Sequence, residues 1–151
     1  MKKQLSKSEI EELNQEIQLR YGVSPLSKKQ KIELISEEQR FIKADKITCF
    51  FYKDDVLFPT LKFLLKEEVL PKVIIDMPAI KFITSGADLM KPGIKQMSNF
   101  KKGAAVVVVD ELHNKPIALG IALFSSEDAL FMEKGKIIQI IHYVGDSIWN
   151  S

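Results

Sequence analysis

The chain has 151 residues, with 22 basic side chains, 20 acidic side chains and a formal net charge of +2. This length fits one ordinary domain or two small ones, and it excludes an enzyme that carries separate cofactor and recognition domains. With 46% hydrophobic and 28% charged residues, the composition is that of a globular protein that buries a core.

The sequence has no long apolar segment and only one cysteine. The longest aliphatic run, 104–109, falls far short of the roughly 20 residues of a transmembrane helix, so we expect no membrane contact. The N-terminus, Met-Lys-Lys-Gln-Leu-Ser-Lys, lacks the apolar segment of a signal peptide, and we expect a cytoplasmic protein. Cys49 is the one cysteine, which excludes an internal disulfide and favours a small buried hydrophobe over a reactive thiol.

The first predicted element is an amphipathic helix. A capping box, Ser6-x-x-Glu9, precedes apolar residues at helical spacing, and Gly22 with Pro25 supplies the stop. The positions that predict its buried face are Ile10, Leu13, Ile17 and Tyr21.

Two strands and a second helix follow. Segments 31–36 and 47–52 are rich in β-branched or aromatic residues, and Lys53-Asp54-Asp55 after the second has the composition of a hairpin turn. The stretch 60–68 has helical spacing behind Pro59. This half is therefore predicted to be α+β.

Beyond residue 71 the pattern changes to short strands separated by turn signals. The predicted strands are 73–75, 104–109, 117–124 and 136–143, and 77–84 is a short helix. This spacing predicts a small closed or nearly closed barrel. We therefore expect an α+β fold of two domains, 1–71 and 72–151.

Charge is unevenly distributed along this second half. Residues 77–102 contain five lysines and one acid, whereas 103–151 contain three lysines and six acids. Arginine occurs only twice in the chain, and lysine favours point-charge contacts to phosphate over bidentate reading of base edges. Any nucleic acid bound here should be recognised through shape and backbone.

Seven short landmarks occur in a fixed order over about 75 residues, which is more specific than any single motif. They are Val73-Ile-Ile-Asp76, Ala79-Ile-Lys-Phe82, Ser85-Gly-Ala-Asp-Leu-Met-Lys-Pro-Gly-Ile94, Lys102-Gly103, Ile117-Ala-Leu-Gly120, Lys134-Gly135 and His142-Tyr-Val-Gly-Asp-Ser-Ile-Trp149. This series resembles the PUA domain, an RNA-binding module named after pseudouridine synthase and archaeosine transglycosylase.

The N-terminal half narrows the resemblance. Phe58-Pro-Thr-Leu61 and Val69-Leu-Pro71, followed by the second landmark, are similar to the malignant T-cell amplified sequence family and its archaeal homologues. The resemblance implies a pre-PUA α+β domain over 1–71 followed by a small PUA β-barrel over 72–151.

The resemblance places RNA contacts on the helix and loop around Gly86 and on the last strand. The implied RNA-binding residues are Lys81, Gly86, Ala87, Lys91, Pro92, Gly93, Lys95, His142 and Tyr143. Family members often carry arginine before the Pro-Gly pair, and Lys91 keeps the charge without the bidentate geometry.

The residue types give these positions a physical reading. Gly86 is expected to end its helix at positive φ and to let phosphate approach the backbone amides of Gly86 and Ala87. Pro92-Gly93 fits a type II turn, with the glycine at positive φ. His142 is expected either to stack on RNA or to pack against Trp149.

Catalytic and metal-binding patterns are missing from the sequence. The two histidines lie in separate segments with no cysteine near either, so we expect no metal and no cofactor. There is no Walker loop, no GxGxxG motif and no nucleophile elbow around Ser85, and we therefore expect no enzyme.

Three functions remain open from the sequence. The first, implied by the resemblance, is an RNA-binding protein of the translation apparatus that contacts small-subunit ribosomal RNA or the tRNA acceptor end, in initiation or recycling, beside a partner with a SUI1-type domain. The second is an accessory specificity subunit of a tRNA- or rRNA-modifying enzyme. The third is a protein-interaction adaptor, because residues 1–76 carry 14 basic and 13 acidic side chains and so give RNA no electrostatic reason to bind there.

Overall fold

The computed structural model describes residues 1–151, which divide into two compact units, Met1–Val69 and Leu70–Ser151. The first unit contains, in chain order, β1 (Lys2–Gln4), α1 (Lys7–Tyr21), β2 (Ile32–Ser36), β3 (Arg40–Ala44), β4 (Ile47–Lys53), β5 (Val56–Pro59) and α2 (Leu61–Leu64). Its strands form an antiparallel meander in the order β1-β2-β3-β4-β5.

Helix α1 begins and ends as its sequence predicts. Ser6 and Glu9 form the capping box, and Gly22 adopts the left-handed conformation with φ +76°. Ile10, Leu13 and Ile17 are buried in a core that the sheet completes, notably with the side chain of Phe50. The core of the first unit therefore lies between α1 and one face of its sheet.

The predicted hairpin after β4 is confirmed, but the second helix is shorter than expected. Asp54 and Asp55 both have positive φ, the conformation of the tight turns that join antiparallel strands. Helix α2 covers only Leu61–Leu64 rather than 60–68. It buries Leu61 and Leu64, and the residues that follow are exposed, so no further apolar contact extends it.

The second unit contains six strands and two short α-helices. They are β6 (Lys72–Ile75), α3 (Ile80–Ile83), β7 (Leu89–Met90), β8 (Ile94–Met97), β9 (Ala105–Asp110), β10 (Pro116–Ala122), α4 (Ser126–Leu130) and β11 (Lys136–Tyr143). One turn of 3-10 helix, Met77–Ala79, precedes α3, and another, Lys91–Gly93, joins β7 to β8.

The six strands form a nearly closed barrel. Their order is β7-β11-β10-β9-β6-β8, so the two edge strands are also consecutive in the chain. Three residues separate β7 from β8, and a link this short requires the sheet to curl until its edges approach each other. The barrel core includes Val73, Ile75 and the fully buried Ile137. The α+β fold with a C-terminal β-barrel is confirmed.

Candidate nucleic-acid interface

A shallow apolar groove of about 400 Å³ lies on the second unit, between the Met77–Ile83 segment and β7. Two consecutive turns close it, the turn that follows α3 and the Lys91–Gly93 turn. We call it the α3 groove. Its lining includes Pro78, Phe82, Ala87, Met90, Pro92 and Gly93. Two carboxylates also line it, but Asp76 accepts the amide of Ala79 and Asp88 pairs with Lys136.

Two large apolar side chains that line this groove are exposed to solvent. Phe82 is 58% exposed and Met90 is 48% exposed. The ammonium group of Lys81 lies 5.1 Å from the centroid of the Phe82 ring, a cation–π contact that puts positive charge beside an accessible aromatic face. A flat apolar partner with a neighbouring negative charge, such as an unstacked base and its phosphate, matches this arrangement.

Gly86 ends α3 at positive φ, as the sequence predicts. Its φ is +91°, and its amide donates to the carbonyl of Ile83 while the amide of Ala87 donates to the carbonyl of Phe82. These two bonds define a Schellman motif. A Cβ atom at Gly86 would lie 3.3 Å from Cε1 of Tyr143, so the half-buried tyrosine ring covers this glycine.

The Schellman motif corrects one expectation from the sequence. The backbone amides of Gly86 and Ala87 were expected to receive a phosphate, but both already donate to carbonyl groups of α3. A bound phosphate would have to break these bonds, since each amide has a single proton. Neither backbone amide is therefore free to receive a phosphate.

Lys91 lies in a different environment from Lys81 and Lys95. Its Nζ donates to the carbonyl of Met132 at 2.7 Å and to that of Leu130 at 3.4 Å. A lysine at the C-terminal end of a helix satisfies carbonyls that lack intrahelical partners and offsets the helix dipole. Lys91 is thus held at the end of α4, whereas the side chains of Lys81 and Lys95 are exposed.

The turn at Pro92-Gly93 also differs from its prediction. A type II turn was expected, but Lys91–Gly93 forms a 3-10 turn in which Gly93 does not have positive φ. The reason for a glycine is space: a Cβ atom there would lie 3.2 Å from Cβ of Ala79. Pro92 is exposed beside it and lines the α3 groove.

His142 is fully buried, so in this structure its ring is not available to stack on a base. Its Nδ1 lies 2.9 Å from Oδ2 of Asp146, and the same carboxylate accepts the backbone amides of Tyr143 and Trp149. Burial raises the pKa of Asp146, but these hydrogen bonds outweigh burial and hold its pKa below the ordinary value. The ionised carboxylate can only accept, which places the shared proton on Nδ1. His142 therefore orders the backbone beside Tyr143.

The two large exposed side chains of the groove, Phe82 and Met90, were not among the binding residues predicted from the sequence. The position of Phe82 follows from helical geometry. Ile83 faces the core from α3, so Phe82, one residue earlier, lies on a different face of the helix. Met90 belongs to a strand of only two residues, which carries no alternation to read.

The structure contains neither a cluster of metal-binding side chains nor a reactive thiol. No group of three or more histidine, cysteine, aspartate or glutamate side chains that could hold a metal ion occurs in the structure. Burial raises the pKa of the Cys49 thiol to about 12, so this side chain stays protonated and unreactive at neutral pH. No helix is both long and apolar enough to cross a membrane.

The first unit has a recess of its own, of about 260 Å³. Its lining includes the apolar side chains of Leu26, Ile47 and Phe63 together with charged side chains of both signs, namely Lys62, Lys66, Asp45 and Glu67. This mixed surface lies outside the residues that sequence analysis selected.

Comparisons with known proteins agree with this architecture. A family model described as PUA domain matches residues 71–144, and one described as a domain of unknown function (DUF1947) matches 2–67. An uncharacterised protein of Methanocaldococcus jannaschii is 42% identical over 97% of this chain and 93% of its own length. Translation machinery-associated protein 20 of Saccharomyces cerevisiae is 36% identical over 83% of this chain and 75% of its own length.

A third relative carries the name that the sequence landmarks indicate. Malignant T-cell-amplified sequence 1 of Rattus norvegicus is 33% identical over 67% of this chain and 58% of its own length. The chain belongs to this PUA-domain family. The family assignment made from the landmarks is thereby confirmed, and the name of the yeast relative describes a translation-associated protein.

Solved structures of PUA-domain proteins share the fold. A PUA-domain structure from Aeropyrum pernix superimposes with a TM-score of 0.85 at 26% identity, over 99% of this chain and 89% of that one. A chain of an H/ACA ribonucleoprotein bound to a substrate RNA matches with a TM-score of 0.51 at 29% identity, over 65% of this chain and 31% of that one.

Proposed function

We propose that this protein is an RNA-binding component of the translation apparatus, and that its C-terminal unit contacts structured RNA that carries an unpaired end. The observation that carries the proposal is the α3 groove, where exposed Phe82 and Met90 lie beside Lys81. The protein acts by binding and not by catalysis.

The chemistry of the groove fits single-stranded rather than base-paired RNA. Unpaired bases stack on aromatic and apolar side chains, whereas the bases of an A-form duplex are stacked on each other and their major-groove edges are out of reach. Lysines next to the groove neutralise phosphates without selecting a sequence. Recognition therefore rests on the shape of a duplex end and its unpaired nucleotides.

The named relatives direct the proposal to translation. Translation machinery-associated protein 20 supplies the translation context, and the H/ACA ribonucleoprotein supplies a case of a similar fold in an RNA-bound assembly. Small-subunit ribosomal RNA and the tRNA acceptor end are the two targets we propose, in initiation or recycling and in the cytoplasm. Both offer duplex RNA next to unpaired nucleotides.

A salt-dependent binding experiment tests the proposal. Fluorescence anisotropy with a labelled RNA hairpin bearing an unpaired 3′ tail should show an affinity that falls with salt. Lys81→Gln combined with Lys95→Gln should lower the log–log slope by about 0.7 to 0.9 for each phosphate that is no longer neutralised. Phe82→Ala should weaken binding about 5- to 100-fold with the slope unchanged, because it removes stacking and not charge.

The matched control removes two lysines elsewhere. Lys53→Gln combined with Lys115→Gln changes the net charge equally at exposed hairpin positions, and it should leave the slope nearly unchanged. Equal effects of both double variants would show that the charge distribution has been over-interpreted. Failure of the wild-type protein to bind any structured RNA would refute the proposal.

Crosslinking and sequencing of bound RNA in cells identifies the target. Enrichment of small-subunit ribosomal RNA or tRNA acceptor ends supports a role in translation. Enrichment of a guide RNA, or of a tRNA at a modified site, supports an accessory specificity subunit instead.

The recess on the first unit supports a second role, that of docking a protein partner. Its apolar lining, with two lysines and the two carboxylates of Asp45 and Glu67, fits an apolar side chain flanked by charged groups of both signs, and the near-neutral charge of this half gives RNA little attraction. We propose a partner with a SUI1-type domain. Ile47→Asp, at an exposed position of the recess, should abolish co-purification of such a partner and leave RNA affinity unchanged.

A further inference from the structure

Two apolar side chains at the end of α4 are displayed to solvent on the same unit as the α3 groove. Phe131 is 85% exposed and Leu130 is 66% exposed, directly after the buried Ala129. These two large apolar side chains are adjacent in the chain and form an apolar patch that a binding partner can cover.

A second groove, of about 360 Å³, lies between β8 and α4, and Leu130 lines it. We call it the α4 groove. Lys95, Gln96 and Asn99 contribute exposed cationic and amide groups along the β8 side. Glu127 contributes a carboxylate on the α4 side.

The two grooves adjoin each other at a single turn. Met90, Pro92 and Gly93 line the α3 groove, and Lys91, which lies between Met90 and Pro92 in the chain, lines the α4 groove. Because consecutive Cα atoms lie about 3.8 Å apart, residues 90–92 span only a short distance. Neighbouring nucleotides of one RNA strand can therefore reach both grooves. A strand that enters the α3 groove therefore meets the α4 groove within a short distance.

Lys91 holds the second groove in place. Its ammonium group bonds to the carbonyls of Leu130 and Met132, the residues on either side of Phe131. The backbone amide of Lys91 also donates to the carbonyl of Gly135, at 2.8 Å. These bonds fix the segment that carries Phe131 against the turn between the two grooves, so the aromatic ring is presented from an ordered backbone.

The charge around the α4 groove favours RNA as its occupant. From Lys91 to Lys102 the chain contains four lysines and no acid. Ser126, in the first turn of α4, exchanges hydrogen bonds with the backbone of Phe100, which brings the start of α4 next to Lys101 and Lys102. Lysines thus flank α4 near both ends, and the groove lining holds two lysines, Lys91 and Lys95, against one carboxylate, while Asp128 and Glu133 lie outside the lining.

We infer that the α4 groove and Phe131 form a second RNA-contact site, which takes a further unpaired nucleotide of the strand whose first unpaired nucleotide occupies the α3 groove. Phe131 and Leu130 supply the stacking surface, Gln96 and Asn99 supply donors and acceptors for a base edge, and Lys95 contacts the phosphate. This inference rests on the proposed function, because it extends the same RNA strand.

The test varies the length of the unpaired tail. Labelled RNA hairpins carry 3′ tails lengthened from about one to about six nucleotides, and their affinities are measured by fluorescence anisotropy with the full chain. In the wild-type protein the affinity should rise as the tail first reaches the α4 groove. Phe131→Ala should remove that rise, a decrease of about 5- to 100-fold in affinity for the longer tails, and leave the shortest tail unaffected.

Two further variants make the test specific. Phe131→Tyr keeps an aromatic face and should restore the rise with tail length. Leu112→Ala truncates an apolar side chain that is 67% exposed in the turn between β9 and β10, and it should change nothing. Circular dichroism of each variant confirms that it folds, which we expect because Phe131 and Leu112 are both exposed.

The outcomes separate this inference from the proposed function. If Phe82→Ala weakens binding at every tail length while Phe131→Ala changes none, the second site is refuted and the proposed function stands. If the wild-type protein binds none of the hairpins, the proposed function fails and this inference fails with it. A decrease in affinity of Phe131→Ala that is the same at every tail length also refutes the assignment to a later nucleotide.

Discussion

Two glycines with similar backbone conformations differ in their surroundings. Gly86 and Gly103 have φ values of +91° and +86°, but only at Gly86 would a Cβ atom meet a neighbour, the Tyr143 ring at 3.3 Å. Gly103→Ala should cost about 1 kcal/mol of unfolding free energy through backbone strain alone. Gly86→Ala should cost about 0.5–1.5 kcal/mol more, because Tyr143 must shift from its rotamer. Urea unfolding measures both, and equal effects would show that the tyrosine ring moves freely.

Asp146 links stability to pH in the second unit. Its pKa is lowered in the folded state, so its stabilising contribution is fully present above the unfolded value of 3.8 and disappears as the pH falls through the folded pKa. Asp146→Asn should destabilise the protein by about 1–3 kcal/mol at pH 7, because an amide cannot replace all the bonds that the carboxylate accepts. Urea unfolding near pH 2 should show a much smaller difference between variant and wild type. A difference that persists at low pH would show that the ionised form is not what stabilises this turn.

The sequence predicts the conformation of a single residue where that conformation depends only on its neighbours in the chain. Positive φ at Gly86 follows from its place at the end of a helix. The environments of Lys91 and His142 could not be predicted, because the partners of Lys91 lie about 40 residues further along the chain, and the burial of His142 depends on the closure of the barrel. Long-range contacts of this kind leave no local pattern in the sequence.

At the element scale, helix α4 depends on a lysine from another part of the chain. Lys91→Met keeps the aliphatic stem but removes the ammonium group that bonds the carbonyls of Leu130 and Met132. We expect a decrease of about 1 kcal/mol in stability and faster hydrogen exchange in α4 and the segment up to residue 135. Lys95→Met is the control, since it removes the same charge from an exposed position of β8. Equal exchange rates in the two variants would contradict the anchoring role.

Most patterned elements were predicted well, including the short strand β6 and the helical segment 77–83, whereas several other short strands were not. Helix α1, the hairpin after β4 and the strands β9 and β11 lie within a residue or two of their predicted positions. Strands β1, β7 and β8 were missed because runs of two to four residues carry too little alternation, and their pairing is set by partners far along the chain. Strand β3 and helix α4 carried readable signals, namely the aromatic and β-branched pair Phe41-Ile42 and a Ser125 cap before acidic residues.

At the scale of the whole molecule, the chain contains two hydrophobic cores. Ile17, Ile32 and Phe50 belong to the core of the first unit, and Val73 and Ile137 belong to that of the second. Each unit also has a complete sheet, with no strand pairing that joins the two sheets. A unit with its own core and sheet meets the general requirements of an independent domain.

This organisation predicts where a protease cuts first. Residues 65–68 follow α2, are exposed and contain Glu67 and Glu68, whereas most other glutamates lie in or next to regular elements. Brief digestion of the full chain with endoproteinase Glu-C should cleave after Glu67 or Glu68, because cleavage requires an accessible, extended backbone. The C-terminal fragment should then persist with its β-sheet circular dichroism, as expected for a domain over residues 72–151. Glu67→Gln combined with Glu68→Gln should slow this first cut, and rapid degradation of the fragment after the cut would show that the second unit does not fold alone.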